Sequence, residues 1–97
     1  MYSIVNRESR KALTVDWVGI LEDGAGIMQW YYLGYPNQHW RFFLAGEGLY
    51  QIHSVNSERC LDVCAWPDEP WDHLCQWECH DEESQLWQLR FVEREEG

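Results

Sequence analysis

Gln76-Trp77-Glu78-Cys79-His80-Asp81-Glu82-Glu83-Ser84-Gln85-Leu86-Trp87 has an earlier counterpart in Gln29-Trp30-Tyr31-Tyr32-Leu33-Gly34-Tyr35-Pro36-Asn37-Gln38-His39-Trp40. In each, a Gln-Trp pair is followed nine residues after its Gln by Gln-x-Trp. Sliding the chain by 48 sets Tyr2 on Tyr50, Ile4 on Ile52, Ser9 on Ser57, Lys11 on Arg59, Leu13 on Leu61 and Val15 on Val63. A shift of 47 then sets Gln29 on Gln76, Trp30 on Trp77, Gln38 on Gln85, Trp40 on Trp87 and Phe42 on Leu89. Self-similarity at a fixed period of this length marks a repeat architecture in which each copy is one supersecondary unit. The chain therefore reads as a single domain, residues 1–97, with repeat one at 2–48 and repeat two at 50–97.

Within each copy the apolar residues alternate. Tyr2 and Ile4, Leu13 and Val15, then Trp40, Phe42 and Leu44 form the first set; Tyr50 and Ile52, Leu61 and Val63, then Trp87, Leu89 and Phe91 form the second. A period of two in β-branched and aromatic residues specifies strands. The intervening stretches, such as Glu22-Asp23-Gly24-Ala25-Gly26 and Asn56-Ser57-Glu58, carry turn chemistry. Each copy is expected to hold about four strands and no substantial helix, so the fold class is all-β.

Composition narrows the possibilities. A chain of 97 residues with 45% apolar residues and seven tryptophans is a small folded domain rather than a disordered segment. No apolar run approaches the roughly 18 residues that span a bilayer. The net charge of −10 is uneven: residues 1–49 hold five acids and four bases, residues 50–97 twelve and three. Such a surface repels phosphate backbones and excludes nucleic acid as the expected partner. Met1 runs directly into Tyr2-Ser3-Ile4-Val5 without an apolar leader, so a cytoplasmic location is expected if Met1 is the native start, and a secreted one if the cysteines are paired.

The four cysteines, at 60, 64, 75 and 79, nest so that 60 + 79 and 64 + 75 both equal 139. Opposed residues of an antiparallel hairpin share a constant sum, which sets Cys60 against Cys79, Cys64 against Cys75, and Asp62 against Trp77 on one face. Disulfides, free thiols and a zinc site all remain open here. One zinc shared by all four is disfavoured, because strand residues four apart lie about 13 Å from each other at ~3.3 Å per residue, beyond the span of one ion.

Tyr-x-Ile, Lys/Arg-(Ala/Cys)-Leu-x-Val, Gln-Trp and Gln-x-Trp, present twice and covering residues 2–92, resemble the repeat of ricin B-type lectins and related carbohydrate-binding modules. Cys60-Leu61-Asp62-Val63 and Trp77-Glu78-Cys79-His80 carry the most specific part of the likeness. The resemblance implies a β-trefoil built from three repeats, of which this chain supplies two, and it implies a Cys60–Cys79 bridge. The remaining third is expected from another chain, as a homo-oligomer, or from a missing segment, because a barrel lacking a third of its strands exposes its core and its edges.

By the same resemblance Asp62, Trp77, His80 and Ser84 form a carbohydrate-binding pocket, with Ser84 standing where the family often has Asn. Sugars offer a C–H face that stacks on an aromatic ring and hydroxyls that seek a charged acceptor, and an acid beside a Trp supplies both. The first-repeat equivalents give a weaker site at Asp16, Trp30 and Asn37, since Thr14 occupies the position of the acid. Trp66 and Trp71, beside Pro67 and Pro70, are expected at the rim of the second hairpin. Gln38, Trp40, Gln85 and Trp87 are expected in the core, where a buried Gln amide satisfies backbone groups.

The expected function is thus a non-catalytic module recognising a glycan, with a galactoside or β-glycan implied by the resemblance. The alternative is an oligomeric structural or protein-interaction domain that keeps the fold without the sugar. No nucleophile–base pair or phosphate-binding glycine loop is visible, the histidines at 39, 53, 73 and 80 share no metal-ligand spacing, and neither cofactor nor metal is expected.

Overall fold

The computed structural model describes residues 1–66 and 69–90. Pro67 and Phe91, the latter expected to extend the last strand, lie outside them, as do residues 92–97. The described chain holds seven strands: β1 (Ala12–Val15), β2 (Ile27–Trp30), β3 (Trp40–Gly46), β4 (Leu49–Ser54), β5 (Cys60–Ala65), β6 (Asp72–Trp77) and β7 (Trp87–Gln88). Two single 3₁₀ turns, Pro36–Gln38 and Glu83–Gln85, precede the two Gln-x-Trp tryptophans. Among the described residues no helix is long and apolar enough to cross a membrane.

Antiparallel hairpins β1–β2 and β5–β6 flank the longer β3–β4 hairpin, which joins the two halves of the chain. Strand β4 also pairs with β5 and β7. The first expected strand, around Tyr2 and Ile4, is reduced to isolated bridges from Tyr2 to Trp40 and from Val5 to Ala12. Its flanking turn is nevertheless built with care: the Asn6 side chain accepts from Glu8 and Ser9 N–H groups, and Arg10 takes φ +63° to close it. Forty-eight residues on, Glu58 has the same φ.

The core is drawn from both halves. Val15, Ala25, Trp40, Ile52 and Leu61 are buried together, and Leu13, Phe42, Leu74 and Trp87 pack on them. Their alternation along the strands is what brings one side chain in two to this cluster. Two indole N–H groups donate to backbone carbonyls, Trp40 to Leu13 O and Trp87 to Leu61 O, each at 3.1 Å. Toward the hairpin tips the alternation no longer buries anything, and Leu44 and Val63 are exposed.

The halves are also locked by polar contacts. The loop between β1 and β2 lies along β6: Gly24 N donates to Gln76 O at 2.8 Å, Gln76 N to Ala25 O at 3.0 Å, and the Gln76 amide to both Ile20 O and Glu22 O at 2.9 Å. Asp23 accepts from Glu78 N at 2.8 Å and pairs with Arg59 at 2.6 Å. A fully buried Gln thus satisfies backbone carbonyls that no strand pairs, as buried polar groups require.

Candidate functional site

The β5–β6 hairpin departs from the expected register by two residues. Cys60 opposes Trp77, Asp62 opposes Cys75, and Cys64 opposes His73, so opposed positions sum to 137 and Asp62 does not face Trp77. The cysteines nonetheless pair as 60–79 and 64–75, with Cα–Cα distances of 5.1 and 5.9 Å, inside the range that a disulfide spans. Both bridges are diagonal, each joining a β5 residue to the position two beyond its partner. A constant sum of cysteine positions therefore says that the two bridges share one offset, and gives neither its size nor the pairing of the strands.

Asp62 is 5% exposed and fully engaged on one side. Its Oδ1 accepts from Val63 N at 2.7 Å and its Oδ2 from the Gln85 amide at 2.9 Å. Gln85 in turn donates to Glu78 O and accepts from His80 N, which ties the chain after β6 onto the hairpin. His80 Nδ1 accepts from Glu82 N at 3.1 Å, so its ring proton sits on Nε2, and that atom lies 3.6 Å from Asp62 Oδ2. This is too long for a direct hydrogen bond. A hydroxyl oxygen seated beside the pair, rather than between the two atoms, can reach both at hydrogen-bonding distance.

Trp77 shares the Asp62 face of the hairpin, two residues along β6 from Cys75, and is 43% exposed. Its ring rests against Gly24, where a Cβ would lie 3.4 Å from Cζ3. Gly24 has φ +88°, a conformation that side-chain-bearing residues rarely adopt, so the turn both needs glycine and leaves room for the indole. Ser84 stands exposed in the second 3₁₀ turn.

In the first repeat the same framework carries other residues. Gln38 donates to Thr14 Oγ1 at 3.1 Å and to Tyr31 O at 2.8 Å, and accepts from Leu33 N. Asn37 is buried and donates to Val15 O, while Asp16 caps Val18 N. These two expected site residues are therefore spent on backbone groups. Trp30 is exposed, set edge-on to Trp17 at 6.3 Å and to Tyr31 at 5.8 Å between ring centroids. At the hairpin tip Trp66 packs on His73, with centroids 4.2 Å apart, and Trp71 is 59% exposed. His73 also contacts the Glu69 carboxylate.

Sequence reasoning missed His53. It opposes Cys60 across the β4–β5 turn, and its ring lies 3.7 Å (Nε2) and 4.0 Å (Nδ1) from Cys79 Sγ. Burial lowers its pKa, against an opposing pull from Glu58. The available signal was the short span Ser54–Arg59, which folds His53 back onto Cys60.

A family model described as ricin-type beta-trefoil lectin domain-like matches residues 1–70 and again 36–97. Among solved structures, the designed 3-fold symmetric protein ThreeFoil superposes with a TM-score of 0.84 and 32% sequence identity. The match covers 94% of this chain and 64% of ThreeFoil. The exo-beta-1,3-galactanase 1,3Gal43A from Clostridium thermocellum superposes with a TM-score of 0.81 and 35% identity, over 93% of this chain and 19% of that one. No curated protein matches.

Proposed function

The chain belongs to the ricin-type β-trefoil lectin-like family and has its all-β fold, and on that premise we propose that it is a non-catalytic module that binds a glycan at the Trp77 end of the β5–β6 hairpin. The observation that carries this reading is the 3.6 Å approach of Asp62 Oδ2 and His80 Nε2, close to the hairpin face that bears half-exposed Trp77. A sugar hydroxyl bridging the pair from one side donates to the carboxylate and accepts from the imidazole, and the apolar face of the same or the adjoining ring stacks on the indole. Burial strengthens the charge-assisted bond. Ser84 supplies a further contact, whereas Trp66 and Trp71 stand at the opposite tip of the hairpin, about 20 Å along β6 from Trp77, and meet only an extended oligosaccharide. The first repeat contributes at most its aromatic surface around Trp30, since Asp16 and Asn37 are bound to backbone groups.

A galactoside or β-glycan is the ligand class to try first, which the β-1,3-galactanase named among the similar structures supports. Titration calorimetry with a panel of such sugars tests the reading. Binding should be saturable, weakened at least tenfold by Trp77→Ala, and weakened by Asp62→Asn. The Asn substitution is preferable to Ala because Gln85 relies on an acceptor at position 62.

One observation favours assembly as well. Among the described residues β7 pairs only with β4, and the Tyr2 segment pairs only through bridges, so each leaves a strand edge unpaired. The chain spans 64% of the three-fold ThreeFoil. A further strand set, from a second copy or from additional sequence, closes the barrel in this reading. Light scattering should give a mass above that of one chain, and a well-folded monomer would argue against the second-copy version.

A further inference from the structure

We infer that opening the Cys60–Cys79 bridge creates a zinc site from the two cysteine sulfurs and His53, so that this corner of the fold exchanges a disulfide for a metal according to redox conditions. The His53, Cys60 and Cys79 ligand atoms lie within 4.8 Å of one another. That separation already approaches what thiolate and imidazole ligands adopt around one ion, with Zn–S near 2.3 Å and Zn–N near 2.0 Å.

A neighbouring amide sets which imidazole nitrogen is free to bind, and both nitrogens lie within 4.0 Å of Cys79 Sγ. Gln51 donates through Nε2 to His80 O at 3.0 Å, which turns its Oε1 toward His53 Nε2 at 3.1 Å. An amide oxygen only accepts, so His53 carries its proton on Nε2 and leaves the Nδ1 lone pair free, 4.0 Å from Cys79 Sγ. A second partner that fixes tautomer and ring angle is the usual support of a metal-binding histidine. Phe43, with its centroid 4.4 Å from the imidazole, holds the ring from the other side.

Access and adaptability are also present. A pocket of about 260 Å³ lined by Arg41, Phe43, His53, Ser54, Glu58 and Cys79 opens onto the cluster. The fourth position is left to water, and Glu58 in the same wall offsets the positive charge of Arg41. Cys60 is fixed at the start of β5, and Cys79 lies beyond the end of β6 between Glu78 and His80, both held by hydrogen bonds, so the sulfurs separate by side-chain rotation.

The chemistry balances. A dithiol reductant delivers two electrons and two protons to the Cys60–Cys79 bond, closing its own disulfide as the protein bond opens to two thiols. Zn²⁺ then displaces both thiol protons to solvent and is held by two thiolates and the neutral imidazole. A disulfide oxidant removes two electrons, re-forms the bond and expels the ion.

The test uses the Cys64→Ser/Cys75→Ser variant, reduced with a phosphine that is then removed, and titrated with Co²⁺ followed by Zn²⁺. The expected result is thiolate-to-cobalt charge-transfer absorption and tetrahedral visible bands saturating at one ion per chain, bleached by Zn²⁺, absent from the oxidised variant, and at least tenfold weaker in affinity on His53→Ala. No bands, or an unchanged affinity in the His53→Ala background, overturns the proposal. Should the double variant not fold, reduced wild-type protein is alkylated with and without Zn²⁺. Protection of Cys60 and Cys79 alone supports the site; protection of neither, or of Cys64 and Cys75 equally, overturns it.

Discussion

The Gln85 side-chain amide donates to the buried Asp62 carboxylate at 2.9 Å, and the Gln38 amide donates at 3.1 Å to Thr14 Oγ1, 48 residues earlier in the chain than Asp62. The two copies thus use one hydrogen-bonding frame around different chemistry: a neutral hydroxyl in the first, a charged acceptor in the second. Removing either amide strands buried groups, and a stranded carboxylate costs more than a stranded hydroxyl. Gln38→Leu is expected to destabilise by about 2 kcal/mol and Gln85→Leu by about 1 kcal/mol more, measured by urea unfolding of the disulfide-intact protein.

Gly24 supports Trp77 from below while holding φ +88°. Gly48 has a similar φ of +72° but meets nothing within 4 Å of an added Cβ. Alanine at either position should cost about 1–2 kcal/mol from the left-handed backbone alone. Only Gly24→Ala should also shift the emission of Trp77, read as the difference from the same substitution in a Trp77→Phe background.

His53 is expected to contribute an acid-side loss of stability. Burial lowers its folded-state pKa below the ordinary histidine value of 6.5, while the unfolded chain titrates near that value. Below it the unfolded state binds the extra proton and the folded state does not, so stability is full above pH ~6.5 and falls as pH drops toward the folded pKa. In the oxidised, metal-free protein, His53→Gln should flatten this slope in denaturation midpoints measured between pH ~7 and ~5.

Much of this was written in the sequence. The shift of 48 and then 47 finds the two frames because turn and capping residues recur with the apolar ones: Ser9 and Ser57, each bonded to the Gln of a Gln-Trp pair, are an example. The pairing of the cysteines was legible too, because bridges with the same offset keep a constant sum. The offset itself was not. It depends on how the strands slide, and only the pairing of Cys60 with Trp77 reveals the two-residue step. That step moves Asp62 from beside Trp77 to beside Cys75 and makes His80 its polar neighbour. The partners of Asp16 and Asn37 were hidden for a related reason. Asp16 accepts locally from Val18 N and the buried Asn37 donates to Val15 O, choices that residue type and spacing do not disclose. His53 escaped notice because its proximity to Cys79 is conveyed through two different hairpins.

Binding at the Trp77 end of the second hairpin is the central claim, and titration calorimetry of the disulfide-intact protein with β-galactosides and β-glycans tests it most directly. A saturable isotherm with one or more of these sugars is predicted, with affinity falling at least tenfold, about 1.4 kcal/mol, on Trp77→Ala while the near-ultraviolet dichroism of the other tryptophans is kept. Absence of heat with every sugar in the panel, or an isotherm that Trp77→Ala leaves unchanged, would contradict it.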